Sequence, residues 1–443
     1  MLTPKTEDPL PFPGLEIAAD GQLYLAGFSA HDLAAQYGTP LLVLLEDVIR
    51  TNCREYRRRI EQYPRSRVYY AAKALLTTGL ARLMAEERMG LDVVSAGELS
   101  TALAADFPPE LILMHGNARS EAELALALES GVGRIVVDND SDIERLTRLT
   151  EGRRTPVSVM LRVTPGIQPD THEYVQTGQQ DSKFGFNLAG GAARAAALQI
   201  NNIPSLKLVG LHCHIGSQLK DLDSFAAAIQ VMLEFYAALQ REGVPLDELN
   251  IGGGLGVRYR LDEAVPDIDT HVDRLAATTL EVCKQLGIQP PVLCDEPGRS
   301  IIAEAGITLY RVESVKRIEG VRNYVSVDGG MTDNPRFALY GTRHHCLLAN
   351  RATESPDGLW SVAGKCCESG DMLLKDTRLP EPEVGDLLVL LTTGAYTYSM
   401  ASNYNRVARP AVVLVGQGRH GLLARRETPE DLMRLDETPK WLR

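Results

Sequence analysis

Short apolar runs recur along the chain, with stretches of helical spacing between most of them. The runs cover 68–72, 92–95, 111–115, 134–138, 158–163, 208–214, 248–252 and 292–296. Between them, 78–89, 96–105, 121–130, 141–149 and 222–242 carry apolar residues at three- and four-residue intervals. Strand alternating with helix predicts a parallel sheet. Eight such units between Val68 and Arg299 suit a closed (β/α)8 TIM-type barrel, which takes roughly 250 residues. A doubly wound open sheet is the structural rival. The polar residues favour the barrel. Lys73, Ser95, His115, Gly116, Asn117, Asp138, Arg162, His214, Gly252, Gly253, Gly254 and Glu296 all fall at or near the carboxyl end of a run. In a barrel those ends converge on one mouth, where active sites are built.

The pattern changes after residue 306. The runs 307–312, 324–327, 359–362, 386–391, 411–415 and 421–424 are short and strand-like, with few helical stretches between them. They predict a second, β-rich domain of barrel or sandwich type. A short strand at 23–25 suggests that the opening segment completes it. The expected division is therefore 36–306 for the barrel and 1–35 plus 307–443 for the β domain. The apolar run 41–45 and the Arg-rich helix that follows it fall on the barrel side.

A chain of 443 residues is long enough for two such cores. Its net charge of −12 argues against nucleic acid as a partner, since phosphate backbones need a basic footprint. Seven irregularly spaced cysteines do not make a disulfide framework. The start of the chain is acidic and proline-rich, without the basic and apolar regions of a signal peptide. No apolar run approaches the roughly 20 residues of a membrane span. The expected setting is the cytoplasm, without membrane attachment.

Several stretches carry candidate chemistry. In Tyr70-Ala71-Ala72-Lys73-Ala74 a strand delivers a lysine to its carboxyl end. A desolvated lysine amine gives up its proton more readily and attacks aldehydes, although a solvated charge at a loop mouth is the plainer reading. Gly252-Gly253-Gly254-Leu255-Gly256 can surround an anion with backbone N–H groups. It lacks the Lys-Ser/Thr ending of a nucleotide-triphosphate loop and the spacing of a dinucleotide loop, so a single phosphate fits best. His212 and His214, at i and i+2, point the same way on a strand. One can then face the mouth and stack on a flat ring, while the spacing of a structural zinc site is missing. Glu296, followed by Pro297, Gly298 and Arg299, is placed to meet a ring nitrogen, with an N–H and a guanidinium fork nearby for phosphate or carboxylate. Cys367, beside Glu368, offers a thiol as proton donor. The hydroxyls of 394–400, Tyr396 among them, can bind phosphate.

Taken together and in order, these stretches resemble the fold-type III pyridoxal-phosphate decarboxylases, and within them the diaminopimelate decarboxylases. The matching segments are YAAKA (70–74), DVVSAGEL (92–99), HGN (115–117), HEYVQTG (172–178), SKFGF (182–186), HCHIGSQ (212–218), GGGLG (252–256), EPGRS (296–300), CESGD (367–371) and GAYTYSMASNYN (394–405). The resemblance implies a barrel paired with a β domain and pyridoxal 5'-phosphate as cofactor. It implies decarboxylation of meso-2,6-diaminopimelate to L-lysine, the last step of lysine biosynthesis. Lys73 would hold the cofactor covalently, and His214 would stack on its ring. Ser217, Gly252, Gly253, Gly254, Gly298 and Tyr396 would hold its phosphate, with Pro297 and Arg299 beside them, and Glu296 would face the pyridine nitrogen. Arg299, Arg336, Tyr340 and Tyr396 would bind substrate, Glu368 would meet its distal amine, and Cys367 would return the proton. The cysteine loop would come from a second copy, making a homodimer with shared sites. No metal is implied. Two departures from the family pattern stand out: Arg119 in place of a lysine, and Phe337 in place of a proline after Arg336. The second leaves room for another substrate, such as ornithine, arginine or carboxynorspermidine. A non-catalytic binder built on the same fold is the rival from another class.

Overall fold

The structure is a computed structural model that describes residues 10, 12–60, 63, 65–167 and 181–442. The HEYVQTG segment lies outside the described residues. The chain divides into two compact units, residues 50–257 with 264–301, and residues 1–49 with 258–263 and 302–443.

The first unit is a closed barrel of eight parallel strands: Ser66–Ala71, Gly90–Val93, Ile112–Met114, Arg134–Val137, Val157–Thr164, Leu206–His212, Glu248–Asn250 and Val292–Asp295. Each pairs with the next in sequence, and the eighth pairs with the first through Cys294 and Arg67. The open-sheet rival is thereby excluded. All eight predicted runs are strands. Their inward residues fill the barrel, with Tyr69, Leu113, Val136, Met160, Val209, Val292 and Cys294 in one buried cluster. Several of the helices between strands start where the sequence supplies an oxygen cap. Ser120 accepts from the amide of Glu123 at 3.2 Å, and the Glu123 carboxylate accepts from the Ser120 amide at 2.9 Å. This reciprocal pair satisfies two of the free N–H groups at the helix start. Ser95, Asn139 and Asp267 cap their helices in the same position.

The second unit is β-rich. Its main sheet runs in the order Met372–Leu379, Gly358–Ala363, Arg322–Val327, Gly306–Ile318, Leu41–Leu45, Ala411–Gly416, Arg419–Ala424. Leu387–Leu390 also pairs with Gly306–Ile318 and with Cys346–Leu348. The buried cluster of this unit includes Tyr310, Val312, Val325, Trp360, Val362, Leu373 and Leu388.

Here the structure departs from the sequence reading. Leu41–Leu45 belongs to this sheet and not to the barrel segment. It lies antiparallel to Gly306–Ile318 and parallel to Ala411–Gly416. All five of its side chains are buried. A run buried on both faces reads the same in any central strand, so its pattern does not say which sheet it enters. The first 49 residues thus cluster with the β-rich unit, whereas the expected boundary fell at residue 35. Two strands of this sheet went unread. Met372–Leu379 is apolar only in its first half, and Cys346–Leu348 is three residues long.

Tyr310 donates its hydroxyl to Asp333, and the Gly330 amide donates to the same carboxylate at 2.8 Å. Burial nevertheless pushes the Asp333 carboxyl up to about 7, so the folded protein holds a proton there that the unfolded chain releases near pH 4. The stabilisation from this site is complete below about pH 4 and is lost as pH rises to about 7. Urea melts should show wild type losing about 2–3 kcal/mol relative to Asp333→Asn between pH 5 and 8. Parallel pH curves for the two proteins would refute the assignment.

Candidate active site

The barrel mouth gathers most of the residues singled out in the sequence. Lys73 lies in the short helical turn Ala72–Ala74, directly after the first strand. The register that sets Ala71 opposite Asp92 brings the Lys73 amine to 3.9 Å from the Asp92 carboxylate. The lysine side chain is 41% exposed, so the burial expected for it is not found. Its amine is accessible, and it is oriented by a buried carboxylate. Burial raises the pKa of Asp92, against the opposing pull of His115.

Glu296 is the most heavily bonded of these residues. His115 Nε2 lies 2.9 Å from its Oε1, Asn250 Nδ2 donates to the same oxygen at 2.7 Å, and His212 Nε2 lies 3.3 Å from Oε2. Burial would raise the pKa of this carboxyl, but His115 and His212 more than offset that and hold it well below the usual carboxylate range. His212 itself is pushed down to about 4 by burial, so it is a neutral imidazole whose Nε2–H donates. Strand register explains the convergence. His212 pairs with Asn250, and Asn250 with Cys294, two residues before Glu296. His115, His212 and Glu296 also place their ligand atoms within 4.8 Å of one another. Their contacts are of hydrogen-bond length, and Asn250 cannot turn its oxygen toward Glu296, since that oxygen accepts from the Gly252 amide at 2.9 Å. The set is an anchored carboxylate.

His212 bonds Glu296, and His214 packs against the glycine run. The strand ends at His212, and His214 lies beyond it against Gly252. Burial, with Lys73 and Arg162 adding to it, lowers the His214 pKa well below the usual imidazole value, which leaves a neutral ring. The glycines allow no side chain. A Cβ would stand 2.6 Å from the Cys213 carbonyl oxygen at Gly252, 2.1 Å from that of Glu296 at Gly253, and 2.5 Å from that of Gly216 at Gly254. Gly252 and Gly254 also have φ values of +69° and +134°. Beside them Arg299, itself buried, donates to Ser217 Oγ at 2.8 Å. Pro297 accepts from the Ala71 amide at 3.0 Å, which ties the segment that includes Gly298 to the lysine strand. The Arg162 guanidinium lies 4.3 Å above the ring of Phe184, from the SKFGF segment, and 3.5 Å from Asp138.

Sequence reading missed Asn250 and the partnership of Lys73 with Asp92. It also missed Glu98, which accepts from the Val94 amide at 2.7 Å and which burial pushes up to about 7. A charged residue in the middle of an apolar run, as in Leu91-Asp92-Val93, was the available signal for Asp92.

The β-rich unit holds a second group. The buried Arg336 guanidinium lies 4.5 Å from the ring of Tyr340 and 5.7 Å from that of Tyr396. Phe337 does not loosen this turn, because Pro335 precedes the short helix Arg336–Tyr340 and Gly341 ends it at φ +63°. Cys367 and Glu368 stand in an exposed loop that is folded around Asp371. That carboxylate accepts from the amides of Cys366 and Met331 at 2.7 and 2.6 Å. The Cys367 amide donates to Asn405 at 2.8 Å.

The family profile described as pyridoxal-dependent decarboxylase, pyridoxal binding domain, matches residues 47–303. The chain belongs to the pyridoxal-dependent decarboxylases. Relatives in that family include the diaminopimelate decarboxylase of Bacillus subtilis strain 168, 44% identical over 94% of this chain and 95% of the relative. Another is that of Actinosynnema pretiosum subsp. auranticum, 45% identical over 94% of this chain and 92% of the relative. Among solved structures, the diaminopimelate decarboxylase of M. jannaschii in co-complex with L-lysine superposes with a TM-score of 0.91. It is 34% identical, over 98% of this chain and 100% of that one. The barrel fits the decarboxylase cofactor. It supplies an accessible primary amine, a carboxylate held as an anion, a neutral imidazole, and a glycine cradle where a Cβ would collide.

Overpacking costs about 1–3 kcal/mol, so Gly253→Ala should weaken pyridoxal phosphate binding about tenfold or more. Cofactor retention after dialysis, read by absorbance, tests this in protein with an unchanged circular dichroism spectrum. Full retention would show that the cradle is not needed.

Proposed function

We infer that the protein is a pyridoxal-phosphate-dependent decarboxylase that converts meso-2,6-diaminopimelate to L-lysine and CO2, in the last step of lysine biosynthesis. The observation that carries this reading is near full-length similarity, at 44% identity, to a relative named diaminopimelate decarboxylase.

In this reading Lys73 would hold the cofactor and His214 would stack on its ring. By the resemblance, Ser217, Gly252, Gly253, Gly254, Pro297, Gly298, Arg299 and Tyr396 would serve the phosphate. The bound cofactor supplies an electron sink conjugated to the substrate's α-carbon. Glu296, kept anionic by its three donors, holds a proton on the facing ring nitrogen and so keeps that sink strong. Asp92 orients the Lys73 amine at the mouth. Arg336, flanked by Tyr340 and Tyr396, pairs with a substrate carboxylate, and Arg299 adds a second cation. Glu368 accepts from the distal ammonium group. Loss of CO2 breaks the bond from the α-carbon to the carboxylate and leaves an electron pair on that carbon. The Cys367 thiol would deliver a proton to the same carbon, and the Lys73 amine would re-form its bond to the cofactor as the product's amine bond to it breaks.

In the resembled family the cysteine loop comes from a neighbouring subunit, so the proposed assembly is a homodimer with two shared sites. Among the described residues no helix is long and apolar enough to cross a membrane, and the cytoplasm is the proposed location.

Incubation of the cofactor-loaded protein with meso-diaminopimelate should yield lysine and CO2, and ornithine, arginine and carboxynorspermidine should remain unchanged. Product from one of the others alone would move the specificity assignment, with Phe337 the first place to look. Lys73→Ala should lose turnover together with the visible absorbance of the lysine-bound cofactor, and a variant that keeps both would remove Lys73 from its role. Cys367→Ala should lower turnover by about 10²–10⁴, the range for a positioned proton donor, at unchanged cofactor content. Undiminished turnover would reject the thiol as that donor.

A further inference from the structure

A second cavity, of about 250 Å³, opens in the barrel unit away from the mouth. Ser66 and Arg67 start the first strand, Gly90 starts the second, and Leu111 immediately precedes the third. The cavity therefore lies at the amino-terminal ends of the strands, the end opposite to the one where barrel enzymes place their chemistry. Arg57 and Arg88 line it together with Arg67, so three guanidiniums meet in one pocket of a chain whose net charge is −12.

The nearby carboxylates are already shared. Glu87 accepts from both Arg50 and Arg54 at 2.7–2.8 Å. Glu248, buried, accepts from both Arg67 and Arg134 at 2.7 Å. Arg57 donates to the Glu87 carbonyl at 3.3 Å. Arg88 is exposed and makes no ion pair among the described residues. It also adopts a left-handed φ of +53°, which side chains other than glycine rarely take. The Tyr69 ring packs against Gly90, where a Cβ would stand 2.4 Å from it, so bare backbone and a flat aromatic line the pocket beside the arginines.

We propose that this pocket binds a small organic anion carrying two or more acidic groups. Guanidinium forks recognise carboxylate and phosphate oxygens in pairs, and the Tyr69 ring and Leu111 offer an apolar wall to its carbon skeleton. The volume lies just under the roughly 300–1,000 Å³ of drug-sized ligand sites, which restricts the ligand to small metabolites. The site is separate from the cofactor cradle and needs none of its residues.

Calorimetric titration of the cofactor-loaded protein, at constant ionic strength, tests the proposal with two probes, inorganic pyrophosphate and citrate. The loaded form keeps the phosphate cradle at the mouth filled. Saturable binding of at least one probe is expected, weakened about tenfold or more in Arg88→Gly and in Arg57→Gln, with decarboxylation unchanged. Pyrophosphate alone would mark the site as a phosphate reader and citrate alone as a carboxylate reader. Glycine suits the left-handed backbone, so Arg88→Gly should fold at least as well as wild type, and it decides the matter if Arg57→Gln does not fold. Absence of saturable binding, or equal affinity in wild type and Arg88→Gly, would overturn the proposal and leave a solvated arginine cluster.

Discussion

A carboxylate kept charged inside a barrel is the constraint around which the mouth is built. Glu296 is buried, and a buried carboxyl tends to take up a proton unless donors hold the anion. Three side chains do so, and each comes from a different strand end: His115 after the third, His212 on the sixth, Asn250 on the seventh. Removing any one partner would leave buried charge poorly compensated, which is the costly way to break such a network. Asn250 extends the constraint further. Its oxygen holds the Gly252 amide, so the group that fixes the carboxylate also fixes the start of the glycine cradle. The charge of Glu296 and the backbone shape at Gly252 are therefore set by one amide side chain.

The division of labour between the two units follows from the same economy of burial. The barrel holds the groups that suit a cofactor: amine, imidazole, carboxylate and cradle. The β-rich unit holds an arginine between two tyrosine rings and a thiol on an exposed loop. A cation flanked by aromatic faces is stabilised without losing its charge, which suits the carboxylate-binding role proposed for Arg336. Asp371 pins the cysteine loop, accepting from the Cys366 amide within it and from the Met331 amide outside it.

Much of this was legible in the chain, and the limits are physical. The eight strands of the barrel announce themselves because each is a short apolar run that ends in a polar residue, as at Lys73, His214 and Glu296. Strand ends are local facts and sequence displays them. Partnerships are not local. Nothing in Leu91-Asp92-Val93 says that Asp92 will meet Lys73, or in Leu249-Asn250-Ile251 that Asn250 will meet Glu296, because both depend on the register of a closed sheet. The two histidines illustrate the same limit. Two-residue spacing predicts a shared direction only while the strand lasts, and it ends at His212. Leu41–Leu45 shows it most plainly, since an all-apolar run carries no mark of the sheet it will join. Phe337, where the resembled family has proline, marks a departure in sequence only, because Pro335 and Gly341 fix the turn at Arg336 from either side.

The placement of Leu41–Leu45 also sets an order of events during synthesis. Leu41 pairs with Leu309, so this strand leaves the ribosome about 270 residues before its antiparallel neighbour, a separation that makes pairing slow. At roughly 5–20 residues per second, the wait is on the order of ten to fifty seconds. During that interval the whole barrel is made, while five consecutive leucine and valine side chains remain without their sheet. Ala411–Gly416, the parallel neighbour, arrives later still. The nascent chain therefore carries an all-apolar, aggregation-prone run unpaired until both of its neighbours in the sheet have been made.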